Sequence, residues 1–157
     1  MTSIDAGPEQ LLRSLAPELF QTETLAARHC RREAQRVADT PLAAALLAVA
    51  AHAEVARREL YEIAWTRKFP HGSLRSLLGN LFGEAGQRLA DRLIARQRSY
   101  RGTLLGMRHG VDVVHMLELT AREAGRGPLA SWAERWLRRR EPLVRGVERE
   151  LAGYTRT

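Results

Sequence analysis

The sequence has one cysteine, one lysine and no long apolar run. A single thiol, Cys30, excludes an intrachain disulfide framework and a zinc site built from several cysteines. No stretch reaches about 18 uninterrupted apolar residues, so we expect no membrane span. Residues 1–8 contain an acid, Asp5, and no apolar segment, so we expect no secretory signal peptide and a cytoplasmic location.

Strand signals and catalytic motifs are also missing. β-Branched residues are few and never alternate with polar ones over a useful length. No serine or cysteine nucleophile motif, phosphate-binding loop or dinucleotide fingerprint is present. The 157 residues have 45% hydrophobic and 27% charged content, which is typical of a folded globular protein. The sequence therefore predicts a single domain, residues 1–157.

The residues that are abundant favour helices. Long stretches consist of Ala, Leu, Arg and Glu, which are strong helix formers. Thr40 suits the N-cap of a second helix, and Pro41 its first helical position. We predict an all-α, up-down four-helix bundle with one or two short additional helices. The predicted long helices cover residues 8–37, 41–67, 84–108 and 129–154, with short helices after Ser73 and over 111–124.

A row of glycines, Gly102, Gly106 and Gly110, recurs every four residues. The row either lets two helices approach closely or marks the place where the third long helix bends or stops. We favour the second interpretation, because glycine costs about 1 kcal/mol in a helix interior.

The net charge of +7 comes almost entirely from arginine. Seven basic and only two acidic residues fall within 71–111, which suggests a face for an acidic partner. Nucleic acid is possible but not favoured, because no DNA-reading motif accompanies the charge and Asp91 interrupts it; an ordinary solvated face is the alternative. The arginines of this candidate face are Arg88, Arg92, Arg98, Arg101 and Arg108.

Helical wheels place three charged side chains on apolar faces. Glu23 falls at the middle of the first helix's face, Arg96 inside the third and Arg140 near the centre of the last. Because an isolated buried charge is costly, we predict a buried salt bridge of Glu23 with Arg96 or Arg140. His52 and Glu59 flank the second helix's apolar stripe and should lie at the margin of this cluster. The cluster either sets the helix register or forms a ligand or catalytic site.

Four further features have simple interpretations. Cys30, on the apolar face of the first helix, should be a buried, inert thiol. Trp132 and Trp136 share one face and predict core packing or, alternatively, a dimer seam. His29 and Glu33 form a His-x-x-x-Glu pair that should face outward. Four polar side chains recur every three residues, and we predict that they form a solvated stripe: His109, Asp112, His115 and Glu118.

The layout of inward ionisable groups on four helices resembles the ferritin-like superfamily. Such bundles hold two metal ions with an inward Glu from each of two helices and a Glu-x-x-His pair from each of the other two. Glu23 matches the first inward Glu. No Glu-x-x-His occurs in this sequence, and Arg96 stands where the third helix should carry a Glu. The resemblance implies a metal-free member without a cofactor, in which arginine replaces the metal.

These observations favour a non-catalytic interaction or regulatory protein that binds a protein partner or itself. The first alternative is a divergent metal-binding or redox protein. The second alternative is an accessory nucleic-acid-binding protein that uses residues 88–108. The ligands of the metal-binding alternative would be drawn from Glu23, His52, Glu59, His115 and Glu118.

Overall fold

The computed structural model describes residues 7–65 and 100–154, which form four α-helices. This part of the chain contains no strand, so the predicted all-α four-helix bundle is confirmed. The predicted short helix after Ser73 and the predicted helical residues 84–99 lie outside the described residues. The helices are α1 (Pro8–Arg36), α2 (Pro41–Trp65), α3 (Tyr100–Glu123) and α4 (Gly127–Tyr154).

The helix ends follow local capping chemistry. The Thr40 hydroxyl accepts a hydrogen bond from the Ala43 amide at 3.2 Å, which confirms the predicted N-cap of α2. Gly125 adopts a left-handed φ of 67° after α3, a conformation that glycine takes at little steric cost. The next amide, that of Arg126, donates back to the Ala121 carbonyl at 2.7 Å and closes the helix end.

The glycine row does not end a helix, so the prediction that the third long helix stops there is wrong. α3 continues through Gly102, Gly106 and Gly110, and the separately predicted helix over 111–124 is its second half. A Cβ atom placed on Gly110 would lie 3.0 Å from the Thr22 Cγ2 atom of α1. Close contact between the two helices therefore explains Gly110, and this packing offsets the intrinsic cost of glycine.

The helices occupy the corners of a square. α1 packs against α2 and α3, and α4 packs against the same two helices, so α1 and α4 lie diagonally opposite each other. The first half of α1 and the first half of α4 share one apolar cluster with the last halves of α2 and α3. Neighbouring helices therefore run antiparallel, whereas the diagonal pair α2 and α3 runs in one direction, because the last halves of both helices lie in this cluster.

The core consists of two large apolar clusters, one toward each end of the bundle. The first contains Leu12–Phe20 of α1 and Trp132–Leu137 of α4, among others. The second contains Cys30 and Ala34 of α1, Val37 directly after α1, and the start of α2. The end of α2 belongs to the first cluster and the start of α3 to the second, so these two chain positions lie at opposite ends of the bundle. Buried charged side chains lie between the clusters.

The outer faces of the helices are polar and carry ion pairs. Arg31 of α1 contacts Glu54 of α2 at 2.8 Å, and Arg138 contacts Glu134 within α4 at 2.6 Å. Such exposed pairs contribute little to stability. No helix in the described part of the chain has an apolar stretch long enough to cross a membrane.

Candidate functional site

A buried ion pair lies between the two apolar clusters. Arg140 Nη2 of α4 donates to Glu23 Oε2 of α1 at 2.5 Å, across the diagonal of the bundle. The two side chains are at most 1% exposed. The predicted buried salt bridge is therefore confirmed, with Arg140 as the partner of Glu23.

Two rings complete the surroundings of the guanidinium. His52 Nδ1 of α2 accepts a hydrogen bond from Arg140 Nε at 2.9 Å. The guanidinium carbon lies 4.6 Å from the centre of the Trp136 ring, one helical turn away on α4. The positive charge is thus held by a carboxylate, a neutral imidazole nitrogen and the face of an indole. Hereafter Glu23, His52, Trp136 and Arg140 are called the arginine cluster.

The electrostatics of the cluster follow from burial and the arginine charge. Burial, and then the adjacent Arg140 and Arg139 charges, lower the pKa of His52 to about 4. The ring is therefore neutral at pH 7, as its acceptor role at Nδ1 requires. Burial also raises the pKa of Glu23, whereas the charge and hydrogen bond of Arg140 act in the opposite direction.

The cluster leaves several polar atoms without a hydrogen bond. Glu23 Oε1, Arg140 Nη1 and Trp136 Nε1 are all buried and lack a partner. The Trp136 indole still lies close enough to Glu23 to favour its carboxylate form. An incompletely bonded network in a low-dielectric core is sensitive to the removal of any member.

The structure brings together only part of the predicted cluster. Glu23, His52 and Arg140 are in contact, whereas Glu59 accepts a hydrogen bond from the Trp132 indole at 2.7 Å, nearer the start of α4. Arg96 lies outside the described residues. The role of Trp136 was missed, although its position four residues before Arg140 on the same helical face could have indicated it.

The five residues of the alternative metal set do not converge. Glu23 and His52 bind Arg140, and His115 pairs with Glu141 at 3.2 Å. Glu118 pairs with Arg122 at 2.6 Å on the same helix. Within residues 7–65 and 100–154, no group of three His, Cys, Asp or Glu side chains is placed to hold a metal ion.

Two side chains of α1 lie differently from the prediction. His29 and Glu33, predicted to face outward, are only 8% and 3% exposed. Since α1 packs against both α2 and α3, its buried face is wider than a single apolar stripe. The Glu33 carboxylate pairs with Arg36 at 3.1 Å.

The remaining predicted residues match simple structural roles. Trp132 and Trp136 are each 3% exposed within the core of their own chain, so they do not form an exposed dimer seam. Cys30 is fully buried, with its thiol 3.9 Å from the sulfur of Met107, and burial raises its pKa to about 12. His109 and His115 are exposed, as expected of a solvated stripe, whereas the Glu118 side chain is only 15% exposed and departs from that prediction.

The candidate acidic-partner face lies mostly outside the described residues. This applies to Arg88, Arg92 and Arg98 and to the side chain of Arg101. Arg108 is exposed, but its guanidinium pairs with Glu148 of α4 at 2.7 Å. No contact in the described part of the chain favours nucleic-acid binding.

Comparison of the chain with protein-family models, curated proteins and solved structures found no match. The function is therefore argued from the geometry of the site.

The pKa of His52 predicts a specific acid sensitivity. Because the folded-state pKa is about 4 and the ordinary value is 6.5, protonation favours the unfolded chain. The contribution of His52 is complete above pH 6.5 and is lost as the pH falls toward 4. Solvent partly screens the half-buried ring, so we expect a loss of about 2 kcal/mol.

Urea unfolding at pH 7.5 and pH 4.5 measures this loss. His52→Gln keeps an acceptor for Arg140 but does not titrate, so the variant should lose about 2 kcal/mol less than the wild type between these pH values. The control is His115→Gln, which changes an exposed histidine and should follow the wild type. Equal pH dependence of wild type and His52→Gln would contradict the prediction.

Proposed function

We propose that this chain is a non-catalytic interaction or regulatory protein on a ferritin-like bundle in which arginine takes the place of the metal ions. The observation that carries the proposal is the position of the Arg140 guanidinium, held between Glu23 and His52 in the middle of the bundle. In ferritin-like bundles, inward carboxylates and histidines hold metal ions in the bundle core.

The arginine satisfies the groups that a metal ion would need. One Glu23 oxygen and the His52 Nδ1 lone pair both accept hydrogen bonds from Arg140. A guanidinium remains charged at any physiological pH and cannot act as a ligand. A divalent cation at the same place would meet a fixed positive charge in a low-dielectric core. The arginine cluster is therefore suited to stabilising the bundle without metal.

The chain path supports the ferritin-like part of the proposal. α2 ends and α3 begins at opposite ends of the bundle, and all neighbouring helices are antiparallel. α2 and α3 therefore run in the same direction, and the end of α2 lies a bundle's length from the start of α3. Ferritin-like folds have one such long crossover.

The surface and the thiol support an interaction role. Leu105, Met116 and Leu119 of α3 are 57%, 48% and 66% exposed. Spacings of 11 and 3 residues place the three side chains on one side of α3, and a contiguous exposed apolar patch is typical of a contact with another protein or a second copy of the chain. Cys30 has its pKa raised to about 12 by burial, which makes it a poor nucleophile.

Metal analysis tests the proposal. We expect protein purified without chelators, and then exposed to excess Fe(II), Mn(II) or Zn(II) and desalted, to retain far less than one metal ion per chain. The reason is that Arg140 hydrogen-bonds both Glu23 Oε2 and His52 Nδ1 and places a fixed positive charge between them. Elemental analysis of the desalted protein gives the measurement.

The urea-unfolded chain is the matched control. It keeps the same 5 histidines and 18 carboxylates without their arrangement, so it gives the level of nonspecific retention. Retention of one metal ion per folded chain above this level would overturn the proposal in favour of a divergent metal-binding protein.

A further inference from the structure

A groove of about 300 Å³ lies between α1 and α3. Leu25, Ala26 and Cys30 of α1 line it from one side, and Gly106 and Met107 of α3 from the other. This volume is at the lower end of the range for small-molecule sites in proteins. The groove is separate from the contacts of the arginine cluster.

Glycine positions explain why the groove exists. At Gly110 the two helices touch, since an added Cβ would lie 3.0 Å from the Thr22 methyl group. One turn earlier, an added Cβ on Gly106 would meet nothing within 4 Å. The missing side chain at Gly106 thus leaves open space directly beside a tight helix contact.

Two buried polar atoms on opposite walls of this groove lack a hydrogen bond. His29 Nε2 belongs to α1 and Thr103 Oγ1 to α3, and neither atom has a partner. Their residues are 8% and 6% exposed. Leaving a buried polar group unpaired is costly, so these two atoms mark the place where a polar group of a ligand would be stabilised. By contrast, the Thr120 hydroxyl of α3 donates to the Met116 carbonyl at 2.7 Å.

Among the described residues that line the groove, none offers a free charge with which to bind an ion. Burial, and then the charge of Arg28, lower the pKa of His29, so the imidazole is neutral at pH 7. Glu18 is already paired with His109 at 3.0 Å near the edge of the groove. A neutral imidazole nitrogen and a threonine hydroxyl are best matched by a group that can both donate and accept.

We propose that the α1–α3 groove binds a small, neutral, mainly apolar molecule that carries one hydroxyl group between His29 and Thr103. An engineered apolar cavity of about 150 Å³ accommodates benzene, so the groove has room for roughly two fused rings. This site does not depend on the proposed function, because it uses none of the residues that hold Arg140.

Equilibrium dialysis of the full chain against 2-naphthol and naphthalene tests the site. The two probes share a ring system and differ by the hydroxyl group. We expect 2-naphthol to bind one site per chain and at least tenfold more tightly than naphthalene. Equal affinity for the two probes would overturn the hydroxyl assignment, and no saturable binding of either would overturn the site.

Two glycine variants locate the binding site. Gly106→Leu fills the open space in the groove and should weaken 2-naphthol binding at least tenfold. Gly146→Leu is the matched control, because Gly146 also lies inside a helix with nothing within 4 Å of an added Cβ but does not line the groove. Both changes replace glycine with a better helix former, so both variants should fold. Equal affinity in the two variants would overturn the assignment to this groove.

Two threonine variants test the polar contact. Thr103→Val removes the unpartnered hydroxyl and should weaken 2-naphthol about tenfold while leaving naphthalene binding unchanged. Thr120→Val removes a buried hydroxyl elsewhere on α3 and should leave both probes unaffected. Circular dichroism confirms that each variant is folded. An unchanged 2-naphthol affinity in Thr103→Val would overturn the proposed role of this hydroxyl.

Discussion

Replacing Glu23 with alanine is expected to lower the free energy of unfolding by about 3–5 kcal/mol, because it leaves a buried arginine without its counter-charge. The Arg140 side chain is fully buried, and its Nη1 already lacks a partner. The neutral His52 ring and the Trp136 face cannot balance the charge, so Arg140 must either stay unpaired or draw water into the core.

Urea unfolding followed by circular dichroism gives the measurement. The matched control is Glu54→Ala, which removes the carboxylate that pairs with Arg31 on the surface. In that pair the arginine is 51% exposed, so we expect a loss of at most about 1 kcal/mol. A loss for Glu23→Ala no larger than that for Glu54→Ala would contradict the prediction.

A double replacement separates a stranded charge from lost packing. Glu23→Leu combined with Arg140→Met removes both charges and keeps apolar bulk at both positions. Replacing a whole buried ion pair with apolar residues is often neutral or stabilising. We therefore expect the double variant to recover most of the stability that Glu23→Ala loses. Failure to recover would show that the charge pair itself is required, and this comparison remains informative if Glu23→Ala does not fold.

Leu117→Ala is expected to destabilise the protein by about 2–5 kcal/mol, the range for a buried leucine replaced by alanine. Leu117 is 0% exposed and belongs to the apolar cluster that all four helices share at one end of the bundle. The substitution removes most of the side chain from a position where α1 and α4, the two neighbours of α3, restrict collapse of the cavity. Urea unfolding at pH 7.5 measures the effect.

Leu119→Ala is the control on the same helix. Leu119 is 66% exposed, so its replacement should change the free energy of unfolding by no more than about 0.5 kcal/mol. Comparing the two variants tests which face of α3 points into the core, because residues two positions apart lie on opposite sides of a helix. A larger effect at Leu119 than at Leu117 would mean that α3 presents the other face to the core.

Much of the core chemistry was predictable from single helices. Glu23 and Arg140 fall on the apolar faces of their own helices, and the cost of burying either charge alone requires an opposite charge nearby. Sequence periodicity cannot tell which helices lie diagonally, so it left Arg96 and Arg140 as alternative partners. The cation–π contact with Trp136 needed the observed side-chain positions as well.

The errors arose where one helix was judged without its neighbours. His29 and Glu33 lie off the main apolar stripe of α1 and are buried because α1 has two helical neighbours. Glycine at position 110 disfavours a helix locally, yet α3 continues through it. The close approach of Thr22 leaves room only for a small residue there, and the packing offsets the cost. Both outcomes depend on contacts between residues far apart in sequence.

The amino-acid order alone was enough to predict an all-α fold, the Thr40 cap and the need to neutralise a buried Glu23, because propensity, capping and charge burial act within a few residues or on one side chain. The choice of Arg140, its contacts with His52 and Trp136, and the groove beside Gly106 were decided by the packing of the four helices. The physical reason is that these features depend on which helices are neighbours and how closely they approach, distances that no local pattern encodes.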